Sequence, residues 1–161
     1  MKMNVKKIIT MILVAVMICS SLTATTNAAS KGYQFKYKGV TVSMGSKASA
    51  LIKKAGKPVK KVVKKSCAYK GKDRTYQYKN FILYTYSNSD KGTEYVNGIT
   101  FLNSKVKTKE GIKIGSSYAS VKKKYGKGTS NFGLYTYKKG KSKLQIEIIN
   151  KKVTNIRYIL V

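Results

Sequence analysis

The stretch Val42-Ser-Met44-Gly45-Ser46-Lys-Ala-Ser-Ala-Leu51-Ile52-Lys-Lys-Ala55-Gly56-Lys57 returns seventy residues later as Ile112-Lys-Ile114-Gly115-Ser116-Ser-Tyr118-Ala-Ser-Val121-Lys-Lys-Lys-Tyr125-Gly126-Lys127. The two align without a gap, and the Gly-Ser pair, the double lysine and the final Gly-Lys are identical. Each copy reads as a strand end, a glycine break, a serine N-cap, a short amphipathic helix and a glycine stop. Ala48, Leu51, Ile52 and Ala55 fall at i, i+3, i+4 and i+7, one face of a helix. Tyr118, Val121 and Tyr125 mark the same face in the second copy. The only proline, Pro58, follows the first stop by two residues.

Strand patterns surround both copies. Tyr33, Phe35 and Tyr37 alternate with polar residues, and Lys38-Gly39 turns the chain into Val40 to Met44. After the first helix, Val59 to Tyr69 reads as one or two strands. Arg74 to Lys79 alternates, and Lys79-Asn80 turns it into Phe81 to Tyr86. That segment is apolar on both faces, as a central strand should be. A polar loop, Ser87 to Thr93, precedes Tyr95 to Leu102. In the second half a strand is expected at Gly111 to Ile114. After the helix, Leu134 to Tyr137, Leu144 to Ile149 and Val153 to Leu160 are separated by turns. Thr75-Tyr-Gln-Tyr78 answers Leu134-Tyr-Thr-Tyr137, and Val96-x-x-Ile99-x-Phe101 answers Val153-x-x-Ile156-x-Tyr158. The expected fold is therefore α+β: two tandem strand–helix–three-strand units sharing an extended antiparallel sheet, with helices on one face.

The N-terminal segment has the order of an export signal. Lys2, Lys6 and Lys7 precede an apolar run from Ile8 to Cys19, followed by small and polar residues up to Ala28-Ala29. The run is too short to span a bilayer with ease, which takes about 20 residues. Residues 1–28 are read as a signal peptide, cleaved at Ala28 or Ala29. Residues 29–107 then form the first unit with its N-terminal strand, and residues 108–161 the second. Met17-Ile18 before Cys19 argues against lipidation. Cys67 is the one cysteine left after cleavage, and burial as a small hydrophobe is the expectation for it.

The charge is extreme. Thirty-four basic residues, less the three lysines of the signal, leave 31 against five acids, a formal charge of +26. Such a chain attracts polyanions. Outside a bacterial cell these are teichoic acids, anionic phospholipid headgroups or nucleic acid, the last bound without sequence specificity. The seven lysines Lys60, Lys61, Lys64, Lys65, Lys122, Lys123 and Lys124 are candidate polyanion contacts. The paired tyrosines Tyr76 and Tyr78, Tyr84 and Tyr86, and Tyr135 and Tyr137 project from sheet faces. They supply either core or an aromatic binding face.

Catalytic patterns are scarce. The chain has no histidine, so the usual general base and the commonest metal ligand are missing. Five scattered acids and one cysteine do not match a zinc site. Gly140-Lys141-Ser142 imitates the end of a phosphate-binding loop, but Tyr135 stands where the pattern demands glycine. No catalytic, metal or cofactor residue is assigned, and a non-enzymatic protein is expected.

The run Ile-x-x-Gly-x-Ser-x-x-x-Val-x-x-x-Tyr-Gly over Ile112 to Gly126, followed by three strands, resembles the repeated unit of the β-lactamase inhibitor protein-like (BLIP-like) fold. The SmpA/OmlA lipoproteins have a similar unit. Ser66 to Asp73 and Gly111 to Ser116 also resemble segments of small exported proteins of Gram-positive bacteria. The resemblance implies two units in tandem, a joined concave sheet and a binding role. It departs in cysteine content, because BLIP-like units carry disulfides. Asp90 and Glu94 lie in a loop, but neither maps onto the acidic inhibitory residue. The expectation is a binding module, secreted or held at a Gram-positive wall, that contacts a protein or anionic envelope polymer through its sheet and lysines. The alternative is a proteinaceous inhibitor of a secreted hydrolase, β-lactamase-like or protease-like.

Overall fold

A computed structural model describes residues 32–67 and 70–161. The proposed signal peptide, residues 1–28, and both cleavage candidates, Ala28 and Ala29, lie outside the described residues. The chain runs β1 (Gln34–Tyr37), β2 (Val40–Ser43), α1 (Ser49–Ala55), β3 (Lys60–Lys65), β4 (Lys72–Gln77), β5 (Phe81–Tyr86) and β6 (Tyr95–Phe101). It continues α2 (Tyr118–Tyr125), β7 (Thr129–Asn131), β8 (Leu134–Lys139), β9 (Ser142–Ile149) and β10 (Lys152–Leu160). The fold is α+β, with eight strands in one antiparallel sheet of order β3-β4-β5-β6-β10-β9-β8-β7.

Both helices pack on one face of that sheet. They are seven and eight residues long, too short to persist alone, so packing must hold them. Leu51 and Val121 are completely buried beneath them. A Leu51→Ala cavity would cost about 2–5 kcal/mol. The rings of Tyr118 and Tyr125 meet those of Tyr135 and Tyr137 at 4.9 and 5.2 Å. Phe35 of β1 completes the same core, 5.1 Å from the ring of Phe81 and 5.6 Å from that of Phe101.

The structure corrects several details. Each helix is followed by four strands, not three. β1 and β2 form their own two-stranded sheet and do not join the large one. No strand forms at Gly111 to Ile114. β7 fills a place where no strand was expected.

The two serines behave alike, but not as caps. Ser46 Oγ accepts from Ser43 N–H (3.2 Å) and donates to Ser43 O (2.8 Å). Ser116 Oγ accepts from Lys113 N–H (3.1 Å). Both tighten the turn ahead of the helix. The cap of α1 is Ala48, with no side-chain bond. The cap of α2 is Ser117, which accepts from Ser120 N–H at 3.2 Å. The glycine stops do take positive φ, 79° at Gly56 and 76° at Gly126.

Each helix entry is tied to a strand of the large sheet. Gly45 N–H donates to Val96 O (2.7 Å), and Val96 N–H to Ser46 O (2.9 Å). Gly115 N–H donates to Val153 O (2.8 Å), and Val153 N–H to Ser116 O (2.9 Å). One residue beyond each of these valines, pairing skips Asn97 in β6 and Thr154 in β10, giving a β-bulge in both strands. The bulged strands lie side by side, with Thr100 directly opposite Arg157.

Candidate binding face

Antiparallel partners place their side chains on the same face, so the register assigns both faces. One row reads Tyr76, Leu83, Ile99, Tyr158, Leu144, Tyr137 from β4 to β8. All six are buried, on the face that carries the helices and the β1–β2 hairpin. The neighbouring row on the other face reads Lys60, Gln77, Ile82, Thr100, Arg157, Gln145, Thr136, Thr129 and crosses all eight strands. A second row there holds Val62, Thr75, Tyr84, Gly98, Ile159, Lys143 and Lys138. Among the described residues, the helices and the β1–β2 hairpin all lie against the opposite face.

This register divides the six candidate tyrosines. Tyr76, Tyr78 and Tyr137 are 4–6% exposed and belong to the core, and Tyr135 is half-buried against it. Only Tyr84 and Tyr86 reach the uncovered face. The ring of Tyr86 lies 5.6 Å from that of Tyr95, which pairs across from it. The uncovered face thus has an apolar half, with Val62, Ile82, Tyr84, Tyr86, Tyr95 and Ile159, and a polar half. The polar half includes a depression of about 180 Å³ lined by Leu134, Gln145, Glu147, Asn155 and Arg157. Beside it, the Thr100 hydroxyl and the Asn155 side-chain carbonyl are buried without hydrogen-bond partners among the described residues.

The sequence pointed to Tyr84 and Tyr86 but missed Ile82, Tyr95, Thr100, Asn155, Arg157 and Ile159. Part of the signal was present, because β5 alternates two apolar sets. Phe81 and Leu83 take the core, so Ile82 and Tyr84 must face away.

The candidate lysines do not form one patch. Lys60, Lys61, Lys64 and Lys65 are exposed on β3, an edge strand, and divide between its faces. Lys61 Nζ lies 5.1 Å from the ring centre of Tyr76, on the helix side. Lys122, Lys123 and Lys124 are exposed in the last turn of α2, over the opposite half of the sheet.

Two acids are absorbed by structure. Glu94 accepts from the Tyr76 hydroxyl (2.9 and 3.0 Å) and from Thr85 Oγ1 (2.9 Å), and Arg74 Nε lies 3.4 Å away. Arg74 also donates to Ser87 Oγ (3.0 Å) and Asp90 O (3.2 Å), which fastens the 87–94 loop. Burial, then the bond to Glu94, pushes the Tyr76 hydroxyl well above the usual tyrosine range. Glu110 accepts from the Tyr125 hydroxyl at 2.5 Å, and that hydroxyl contacts Thr108 Oγ1 at 2.7 Å. Burial, then Glu110, raises Tyr125 as well. Carboxylates held this closely serve the fold. Cys67, expected to be buried, is exposed and free, because it sits in the β3–β4 connection.

No family model, curated protein or solved structure matches this chain.

Proposed function

We propose that the chain is a secreted, non-catalytic binding module built from two equivalent units. The uncovered face of its fused sheet would dock an anionic polymer of the bacterial envelope. Equivalence of the units is supported by the matched hydrogen bonds at Gly45 and Gly115 and by the matched bulges at Asn97 and Thr154. Thr100 and Arg157 occupy corresponding positions in the two sequences and pair directly, as a local two-fold axis between the units requires.

The observation that carries the binding reading is the continuous uncovered face. Arg157, Lys143, Lys138 and Lys60 lie on it in register with Ile82, Tyr84 and Ile159. Cations there suit phosphate or carboxylate groups, and the flat apolar side chains suit the backbone between them. The absence of histidine from the whole sequence supports the non-catalytic assignment.

Co-sedimentation with purified Gram-positive cell walls tests the proposal. Binding should be strong at low salt and fall steeply as salt rises. Arg157→Glu with Lys143→Glu should weaken it far more than reversing Lys122 to Lys124 on the helix. Equal losses from the two variants would reject the sheet face, and no binding at low salt would reject the polymer.

A further inference from the structure

All eight strands of the large sheet are antiparallel, so their connections sort into two ends. At one end lie the β4–β5, β7–β8 and β9–β10 turns, the residue before β3 and the residue after β6. Among the described residues, four of the six exposed large apolar side chains are at this end: Val59, Leu102, Phe132 and Ile149. Lys60, Lys79, Lys105, Lys151 and Lys152 are exposed among them. Four of the five acids are elsewhere. Asp73, Asp90 and Glu94 lie at the opposite end, and Glu110 shares a depression there with Lys139. Glu147 alone approaches this end, and its carboxylate accepts from Thr154 Oγ1 at 2.9 Å.

Phe132 is the sharpest feature. It is 103% exposed, at the first position of the two-residue β7–β8 turn, with φ at +45°. Tight hairpins favour asparagine, aspartate or glycine there, and a bulky residue at positive φ is strained. The fold therefore gains nothing from a phenylalanine at this position. The neighbouring β9–β10 turn, Asn150-Lys151, brings exposed Ile149 and two lysines beside it.

We propose that this end of the sheet docks on an anionic phospholipid surface, with Phe132 and Ile149 entering the headgroup–acyl boundary and the lysines of the same rim meeting headgroup phosphates. Separate apolar tips interleaved with ammonium groups match an interface that is anionic outside and apolar beneath. A protein partner would instead want a contiguous apolar centre. Neither signal suffices alone, since stable peripheral binding takes an apolar insertion together with a basic patch. This surface is the end of the sheet and shares only Lys60 with the cations assigned to the uncovered face, so the proposal stands apart from the polymer reading.

The chain has no tryptophan, so Phe132→Trp installs a single reporter. Its emission should shift to the blue on vesicles of phosphatidylglycerol and phosphatidylcholine. It should not shift on phosphatidylcholine alone or on soluble polyphosphate. Sedimentation with the anionic vesicles should fall by about tenfold from the parent chain to Phe132→Gly, the scale of one lost aromatic anchor. The same glycine variant should melt at or above the parent temperature, because glycine relieves the strained φ. Lys151→Glu with Lys152→Glu should also release the vesicles. An unshifted emission of the Phe132→Trp variant on anionic vesicles, or equal sedimentation of Phe132→Gly and parent, overturns the proposal. A shift of equal size with polyphosphate overturns it too and makes the rim a soluble-polyanion site.

Discussion

The Tyr137 hydroxyl shows how a core aromatic ties stability to pH. Burial, then neighbouring Tyr118, Tyr135 and Tyr33, raises it from 10.0 to about 12. Tyr76, Tyr125 and Tyr158 are raised as well, each by burial first. The unfolded chain therefore releases these protons at lower pH than the folded one. Stability is fully present below about pH 10 and is lost as pH rises through the folded values. The expected outcome is an alkaline unfolding in which the tyrosinate absorbance of these buried rings appears together with the loss of circular dichroism. Lysines deprotonate in the same range and relieve self-repulsion, so the comparison with a variant is the cleaner readout. Tyr137→Phe keeps the ring and removes the proton, and it should raise the alkaline limit. Tyrosinate absorbance that reaches its full value with native ellipticity intact, or an unmoved limit in Tyr137→Phe, would contradict the account.

Among the elements, the glycine stops are the sharpest test of the helix–strand junction. Gly56 and Gly126 have ψ of −151° and −155° with positive φ, a region open essentially to glycine. An added Cβ meets nothing within 4 Å at either site. Gly126→Ala should thus cost about 1–3 kcal/mol through backbone strain alone, read as a lower urea midpoint with an unchanged slope. An unchanged midpoint would show that the junction relaxes freely. These stops were legible because glycine at a helix end has one strong reading. The alternation in β4, β5 and β10 was legible for a similar reason, since period two leaves few alternatives. Ser46 and Ser116 were misread because a cap and a turn bond differ only by where the first helical residue falls. β7 was invisible because Thr129, Ser130 and Asn131 are all exposed and carry no alternation. The separation of β1–β2 from the large sheet and the facing of each tyrosine pair depend on long-range register. Periodicity along one segment does not encode that register, so the uncovered face could be read only in part.

At the scale of the whole molecule, charge acts on folding and on binding with opposite signs. The full chain carries +29, and the part after the proposed signal carries most of it. Only two ion pairs join described residues, Lys72 with Asp90 at 3.8 Å and Arg74 with Glu94 at 3.4 Å. Most lysines therefore repel across the surface, and compaction works against that field. Screening shortens from about 30 Å at 0.01 M salt to about 10 Å at 0.1 M and about 3 Å at 1 M. The melting temperature should accordingly rise with sodium chloride, with much of the gain already present by about 0.1 M. Salting-out of apolar surface would act differently, growing at high concentration and with sulfate more than chloride. Attachment to an anionic wall or vesicle should fall over the same range, because each neutralised phosphate releases a counterion. A rising melting curve beside a falling binding curve, both steepest at low salt, is the signature of one lysine field serving both. A melting temperature flat in chloride would mean that the lysines are too far apart to strain the fold. A flat binding curve would move the recognition to the apolar residues of the sheet.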